Sequence, residues 1–270
     1  RALVTGGCGF IGSNLTRELV RKGWMVDVVD NMSNGHIDLL DGMSIRRIPN
    51  SLSFKYYKDQ VKNRKQDKVA VIEDDFESLG MLEQVYSGEY DVIFHQAAIP
   101  RVSYSVENPV ETASVNVLST IKLFEAASYG KVKRVVFASS SSVLGGSDDL
   151  PTNETFLKNP KSPYAWQKSC IEDYAKLCSS LYDLDIVCLR YFNVFGPGQY
   201  GDSPYATAVS AWCHAIKNDM PLRSDGDGEQ SRDMCYVDNV VSANILAASS
   251  NRTFSGRVYN IACGDRVSNN

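Results

Sequence analysis

Short apolar runs alternate with longer amphipathic stretches along most of this chain, and that alternation predicts its fold. Leu3-Val4, Met25-Val26-Asp27-Val28-Val29, Val69-Ala70-Val71-Ile72, Asp91-Val92-Ile93-Phe94-His95, residues 132–138, Ile186-Val187-Cys188-Leu189 and Val258-Tyr259-Asn260-Ile261 read as strands, the apolar ones covered on both faces. Between them the spacing turns helical. Phe10, Ile11, Leu15, Leu19 and Val20 predict a helix over 10–21 that Gly23 stops. A stripe of Val110, Ala113, Val117, Ile121, Phe124 and Ala127 predicts a long one over 109–128, and Pro163 opens another over 164–182. Strands alternating with helices make this an α/β chain, a Rossmann-type parallel sheet with helices on both faces. After Arg190 the pattern breaks at Gly196-Pro197-Gly198, then resumes with a helix near 206–218 and a turn at 225–229. The expected division is a domain over 1–195 and a smaller C-terminal lobe, mainly 196–270, truncated at its end and open to interleaving with the first.

The first strand runs without a spacer into Gly6, Gly9 and Gly12, three glycines at three-residue intervals, and then into a helix. Glycines there let a pyrophosphate and a packed helix approach the backbone closely. Asp30 ends the second strand, where a carboxylate meets adenosine ribose hydroxyls. With Asn31 and Met32 after it and no arginine, the site favours NAD over NADP, because a carboxylate repels a 2′-phosphate. Asp75 and Phe76 follow the third strand and could touch the adenine. Gln96, Ala97 and Ala98 follow the fourth as small or polar residues against a cofactor, while His95 reads as a hydrogen-bonded core histidine.

Composition narrows the partners. The 270 residues are 43% hydrophobic with a net charge of −4, enough for a large core and no reason to expect nucleic acid or an anionic membrane. The basic stretch over 44–68 reads as a solvated connection with a short helix, since no aromatic platform accompanies it. Seven scattered cysteines read as reduced core residues of a cytoplasmic protein, and none has zinc spacing. No metal site is expected: Asp225-Gly226-Asp227-Gly228-Glu229 resembles a calcium loop only superficially. Sequons at Asn31, Asn153 and Asn251 read as chance. No apolar run is long enough to span a membrane. Both ends read as trimmed, which leaves a signal peptide open.

Tyr164 and Lys168 lie four residues apart on one predicted helix face, so the ammonium is expected to lower the phenol pKa and make it a usable base. Tyr129 and Lys133 have the same interval, but only Tyr164 opens a helix and follows a hydroxyl-rich strand end, Ser139-Ser140-Ser141-Ser142.

These stretches, with Arg190-Tyr191-Phe192-Asn193-Val194-Phe195-Gly196-Pro197 and Arg232-Asp233, resemble extended short-chain dehydrogenases/reductases of the nucleotide-sugar 4-epimerase type over nearly the whole chain. The resemblance implies NAD held by Gly6, Gly9, Phe10, Ile11, Gly12, Asp30, Asn31, Ser33, Gly35, Asp75, Phe76, Gln96, Ala97, Ala98, Tyr164, Lys168 and Tyr191. It implies Tyr164 as base, Lys168 as ribose ligand and Ser140 as the catalytic serine with Ser142 near it. A UDP-sugar would meet Ser140, Ser141, Ser142, Tyr164, Asn193 and Ala208, with Leu222 and Ser224 along the uracil and Arg232 on phosphate. The implied reaction is 4-epimerisation through a 4-keto sugar, with NAD regenerated. Sugar-nucleotide 4,6-dehydratases and decarboxylases are the rival enzymes by the same resemblance, yet they carry carboxylates at the strand end where this chain has hydroxyls. A non-catalytic NAD sensor is the other rival, and such relatives commonly lose the tyrosine or lysine. Leu144, Gln167 and Pro100-Arg101 depart from the pattern near the sugar; 190–196 and 226–232 lean toward the N-acetylglucosamine type. The family also implies a homodimer through two paired helices, here the 109–128 stripe and the helix after Pro163.

Overall fold

The computed structural model describes residues 1–49, 68–146, 150–202, 206–224 and 226–270. Its elements run β1 (Ala2–Thr5), α1 (Phe10–Arg21), β2 (Val26–Asp30), β3 (Ile45–Pro49), β4 (Val69–Glu73), α2 (Leu79–Tyr86), β5 (Val92–His95), α3 (Val102–Glu107) and α4 (Pro109–Ala113). A π-helical turn (Ser114–Ser119) then leads into α5 (Thr120–Tyr129), β6 (Arg134–Ser140), α6 (Pro163–Leu181), β7 (Ile186–Tyr191), β8 (Asn193–Phe195) and α7 (Ala208–Lys217). The chain closes with β9 (Ser231–Arg232), β10 (Met234–Tyr236), α8 (Val237–Ser249), β11 (Arg257–Ile261) and β12 (Val267–Ser268).

Eight strands form one sheet in the order β11-β7-β6-β5-β1-β2-β4-β3, and every pairing in it is parallel. Successive residues of a strand face opposite sides, so Leu3 enters one core with Phe124, Phe137 and Ile171 while Val4 enters the other with Leu15, Leu19 and Val240. The first core lies under α2, α5 and α6, the second under α1 and α8. Strand order reverses at β1, flanked by β2 and β5, and the strand ends there splay into a crevice. Arg134, buried at the start of β6, joins the second layer to the sheet: it pairs with Asp185 at 2.7 Å and donates to the Ala247 and Ser250 carbonyls at the end of α8.

Two elements differ from the sequence reading. Residues 45–49, expected in a solvated connection, form edge strand β3, whose Arg46, Arg47 and Pro49 suit a strand paired on one side only. The rest of that basic stretch, residues 50–67, lies outside the described residues. The 109–128 stripe is interrupted by the π-helical turn, which inserts an extra residue per turn where a single helix was expected. Of residues 196–270, read as mainly a lobe, α8 and β11 return to the main sheet; two small two-stranded sheets, β8 with β10 and β9 with β12, sit outside it. All seven cysteines are free, but only Cys8, Cys178, Cys188 and Cys235 are core residues; Cys213 and Cys263 are exposed. No helix among the described residues is long and apolar enough to cross a membrane.

Candidate active site

A cleft of about 1020 Å³ opens at the switch point. The glycine loop forms its floor. Gly6 has φ +66°, and a Cβ on it would lie 2.8 Å from the Ala97 amide nitrogen. Gly12 abuts the backbone of Gly6 and Gly7, so it serves the packing of helix on strand, while Gly9 lines the cleft with only the Gly6 carbonyl near its Cβ position. This is a backbone cradle of the kind a pyrophosphate needs. At the end of β2, Asp30 accepts one amide on each oxygen, from Cys8 and from Met32, both at 2.9 Å. Each carboxylate oxygen keeps capacity for a hydroxyl. Burial pushes the Asp30 pKa up, opposed by those two amides.

Every residue expected at the cofactor lines this one cleft: Gly6, Gly9, Phe10, Ile11, Gly12, Asp30, Asn31, Ser33, Gly35, Asp75, Phe76, Gln96, Ala97, Ala98, Tyr164, Lys168 and Tyr191. Asn31 donates to Asp75 at 2.6 Å across it. The residues expected at the substrate are less gathered. Ser140, which favours the ionised Tyr164 phenol, accepts from Ser142 Oγ at 2.9 Å, and Asn193 donates to the Asp233 carbonyl at 3.0 Å. Ser141 is half-buried in the 3-10 turn after β6. Ala208, Leu222, Ser224 and Arg232 are exposed, and none of them lines the cleft.

Helix α6 carries the reactive pair because its start is well defined: Ser162 Oγ caps the Ala165 amide at 3.2 Å and Pro163 takes the first turn. Tyr164 is 9% exposed, and its own amide donates to Ser105 Oγ at 3.1 Å. Lys168, 3% exposed, donates to the Ala138 carbonyl at 2.8 Å and lies over the Phe137 ring. Here the expected pKa effect is reversed. Burial pushes the phenol up to about 12, with the Ser140 hydrogen bond opposing, and pushes the ammonium down to about 7. Lys168 Nζ is 5.8 Å from the phenol ring centroid, and its close acceptor is a carbonyl, so desolvation dominates both groups.

Several supporting residues escaped the sequence reading. Glu172, one turn beyond Lys168, accepts Ser139 Oγ at 2.6 Å and a two-pronged Arg190 at 2.8 and 2.7 Å, all buried. Ser139, read with the hydroxyl-rich strand end, is thus turned toward α6. Asn244 of α8 joins Tyr191 and Gln96 in a buried triad. Gln167 bonds Asn116 at 2.8 Å and Thr112 at 2.9 Å, and Asn116 holds both backbone groups of Ile99. No local signal marks Asn244 or Asn116, since each is a single amide in a helix.

Residues 2–262 match the NAD dependent epimerase/dehydratase family. The chain belongs to that family. It is an NAD-dependent enzyme of the epimerase class. A protein of Methanocaldococcus jannaschii named as a putative UDP-glucose 4-epimerase is 33% identical over 99% of this chain and 78% of its own length. A Bacillus cytotoxicus protein named as a UDP-N-acetyl-alpha-D-glucosaminuronate decarboxylase is 32% identical over 99% of this chain and 76% of its own. Among solved structures, the UDP-N-acetylglucosamine 4-epimerase of Methanobrevibacter ruminantium, in complex with UDP-N-acetylmuramic acid, superposes with a TM-score of 0.86 at 36% identity, covering 100% of this chain and 78% of that one.

His95 is buried, as the sequence reading had it. Ala97 N donates to Thr5 Oγ1 at 3.1 Å, Thr5 Oγ1 meets His95 Nδ1 at 2.7 Å, Nε2 meets Thr120 Oγ1 at 2.9 Å, and Thr120 donates to the Asn116 carbonyl at 3.0 Å. The directions close for a neutral ring protonated on Nε2. Burial, then the Lys168 charge, lower its pKa to about 3. The unfolded chain therefore takes up a proton near pH 6.5 that the native state refuses until about pH 3. Stability is full above pH 6.5 and is lost as pH falls toward 3. In His95→Gln, urea unfolding should show a smaller loss of stability between pH 7 and pH 4.5 than in the parent; an equal loss would contradict the assignment.

Proposed function

We infer that this chain interconverts the 4-epimers of a UDP-hexose through a 4-keto sugar. The observation that carries the reading is Tyr164 lining the glycine-floored cleft at the start of α6, beside the strand end that bears Ser140, with Lys168 one turn away. Gly9 and Asp30 fit NAD in cradle and in donor set, and Gly6, Asp30, Tyr191 and Lys168 would hold it there. When bound, NAD supplies the reversible hydride acceptor. Tyr164 then takes the proton from the sugar O4 and later returns it, Ser140 shares that hydrogen bond, and Lys168 offers its ammonium to the ribose. Asn193 and Arg232 would hold the diphosphate, with Ser141, Ser142 and Ala208 around the sugar and Leu222 and Ser224 beside the base. The lean is toward UDP-N-acetylglucosamine, supported by the Methanobrevibacter ruminantium neighbour.

The decarboxylase relative keeps a second reading in view, loss of water or carbon dioxide from a nucleotide sugar. Against it, the strand end beside the phenol presents Ser140 and Ser142, hydroxyls where elimination needs an acid and a base. Free thiols throughout fit a reducing cytoplasm. A homodimer is supported by the apolar side chains left exposed along two helices, Trp166, Leu177 and Leu181 on α6, Val110 on α4 and Leu118 in the π-helical turn.

Three outcomes test these readings. Tyr164→Phe should lower kcat by at least about 10²-fold, the scale of a general acid/base; near-parent turnover would remove Tyr164 from the role. Incubation with UDP-glucose, UDP-N-acetylglucosamine, UDP-glucuronate and UDP-xylose, read by chromatography and mass spectrometry, should give a product of unchanged mass and altered retention, fastest with UDP-N-acetylglucosamine. Loss of 18 or 44 mass units, roughly one water or one carbon dioxide, would favour the lyase reading instead. Sedimentation velocity should show a dimer that Trp166→Glu converts to monomer; a monomeric parent would end the dimer reading.

A further inference from the structure

Residues 196–200, which follow β8, cross the mouth of the cleft and are pinned to the opposite wall at three points. Asn14, in the first turns of α1, donates its amide both to the Phe10 carbonyl at 2.8 Å and to the Pro197 carbonyl at 3.0 Å. Gly198, at φ +86°, lies against Leu39, whose side chain would be 3.2 Å from a Cβ there. Tyr200 packs against His36 with the rings tilted by 42° and centroids 4.3 Å apart, and donates to Asp38 at 2.9 Å. The wall that receives these contacts is itself tied down. His36 N donates to the Cys8 carbonyl of the glycine loop at 2.8 Å, and Arg17 holds the Leu39 and Asp41 carbonyls at 2.7 and 2.8 Å. Phe10, His36, Leu39, Gly198, Gln199 and Tyr200 all line the cleft.

We propose that residues 196–200 are a clamp over the glycine loop, and that Tyr200 and Asn14 are positioning residues that set how fast a dinucleotide escapes the cleft. The proposal rests on the cofactor reading of that cleft. An enzyme that takes a hydride from its substrate and gives it back has no use for cofactor exchange between turnovers, so a barrier to escape serves the cycle without touching the reacting atoms. The contacts suit such a barrier. They are a few hydrogen bonds and one ring pair at a half-open rim, with Tyr200 40% exposed, so they can break and re-form without unfolding the layers beneath. Because β8 carries Asn193 and leads directly into the clamp, the same backbone links the expected diphosphate ligand to the cofactor's exit.

The test uses the fluorescent 1,N6-etheno analogue of NAD bound to the full chain and chased with excess NAD in stopped flow. Tyr200→Ala and Asn14→Ala should each release the analogue about tenfold faster than the parent, because most changes in affinity at a fixed interface appear in the off-rate. Tyr200→Phe, which keeps the ring on His36 and loses only the Asp38 bond, should fall between them and the parent, and it guards against a folding defect in the alanine variants. A merely structural role would lower the melting temperature of the cofactor-free protein and leave release from the folded fraction at the parent rate. Parent-like release in both alanine variants would overturn the clamp. Gly9→Val separates the two readings: if it abolishes capture of the analogue while the rim variants release at the parent rate, the cofactor site stands and the clamp alone fails. A parent that captures no analogue would overturn both.

Discussion

The arrangement of the cleft depends on one directed chain of hydrogen bonds running from the Ala97 amide through Thr5, His95 and Thr120 to the Asn116 carbonyl. It fixes two parallel strand ends and a helix at once, where the backbone ladders stop. A neutral imidazole accepts on one nitrogen and donates on the other, so it passes the direction of the chain along. Thr5 ends β1, His95 ends β5, and Thr120 opens α5; their mutual positions set the floor on which Ala97 and Gly6 meet at close quarters. Phe76, Phe124 and Phe137 surround the ring and exclude water, which strengthens the bonds and forbids the protonated form.

The π-helical turn belongs to the same construction. It places Asn116 where its carbonyl ends the chain through His95 while its side chain grips Ile99 and Gln167. Gln167, which departs from the expected pattern beside Lys168, is therefore a strut between α6 and the α4–π-turn segment, whose Asn116 holds the loop after β5. The side-chain amides of Asn116 and Gln167 find partners on both their oxygen and nitrogen, the condition under which a buried network rigidifies a site.

What the sequence made legible follows from where the information sits. Strands buried on both faces announce themselves as apolar runs, and the glycine loop, Asp30, Tyr164 and Lys168 are recognisable because their meaning lies in short local spacing. Strand β3 was missed because an edge strand with Arg46, Arg47 and Pro49 lacks the apolar run that marks its neighbours. The break at 114–119 was missed because apolar residues keep near-helical spacing on either side of it. Helix α8, with Asn239, Asn244 and serines among its apolar residues, showed no clean stripe, and with it went Asn244. Glu172 and Ser139 were out of reach for a different reason: their partners are 18 and 33 residues from Glu172 along the chain, and only the fold brings them together. The clamp residues share that property, since Asn14 and Pro197 are separated by 183 residues.

The largest departure from the sequence argument concerns charge at the reactive pair, and it sharpens what the site must do. Spacing of four on a helix suggests an ammonium that lowers a phenol pKa, but that reasoning assumes a solvent-like dielectric in which desolvation is small. In the buried site desolvation drives both groups toward neutrality, the phenol upward to about 12 and the lysine downward to about 7. Ser140 favours the phenolate but does not outweigh burial, and Glu172, the nearest carboxylate along α6, supports the lysine's charge while itself neutralised by Arg190. Burial thus outweighs the helical spacing of the two groups in setting both protonation equilibria.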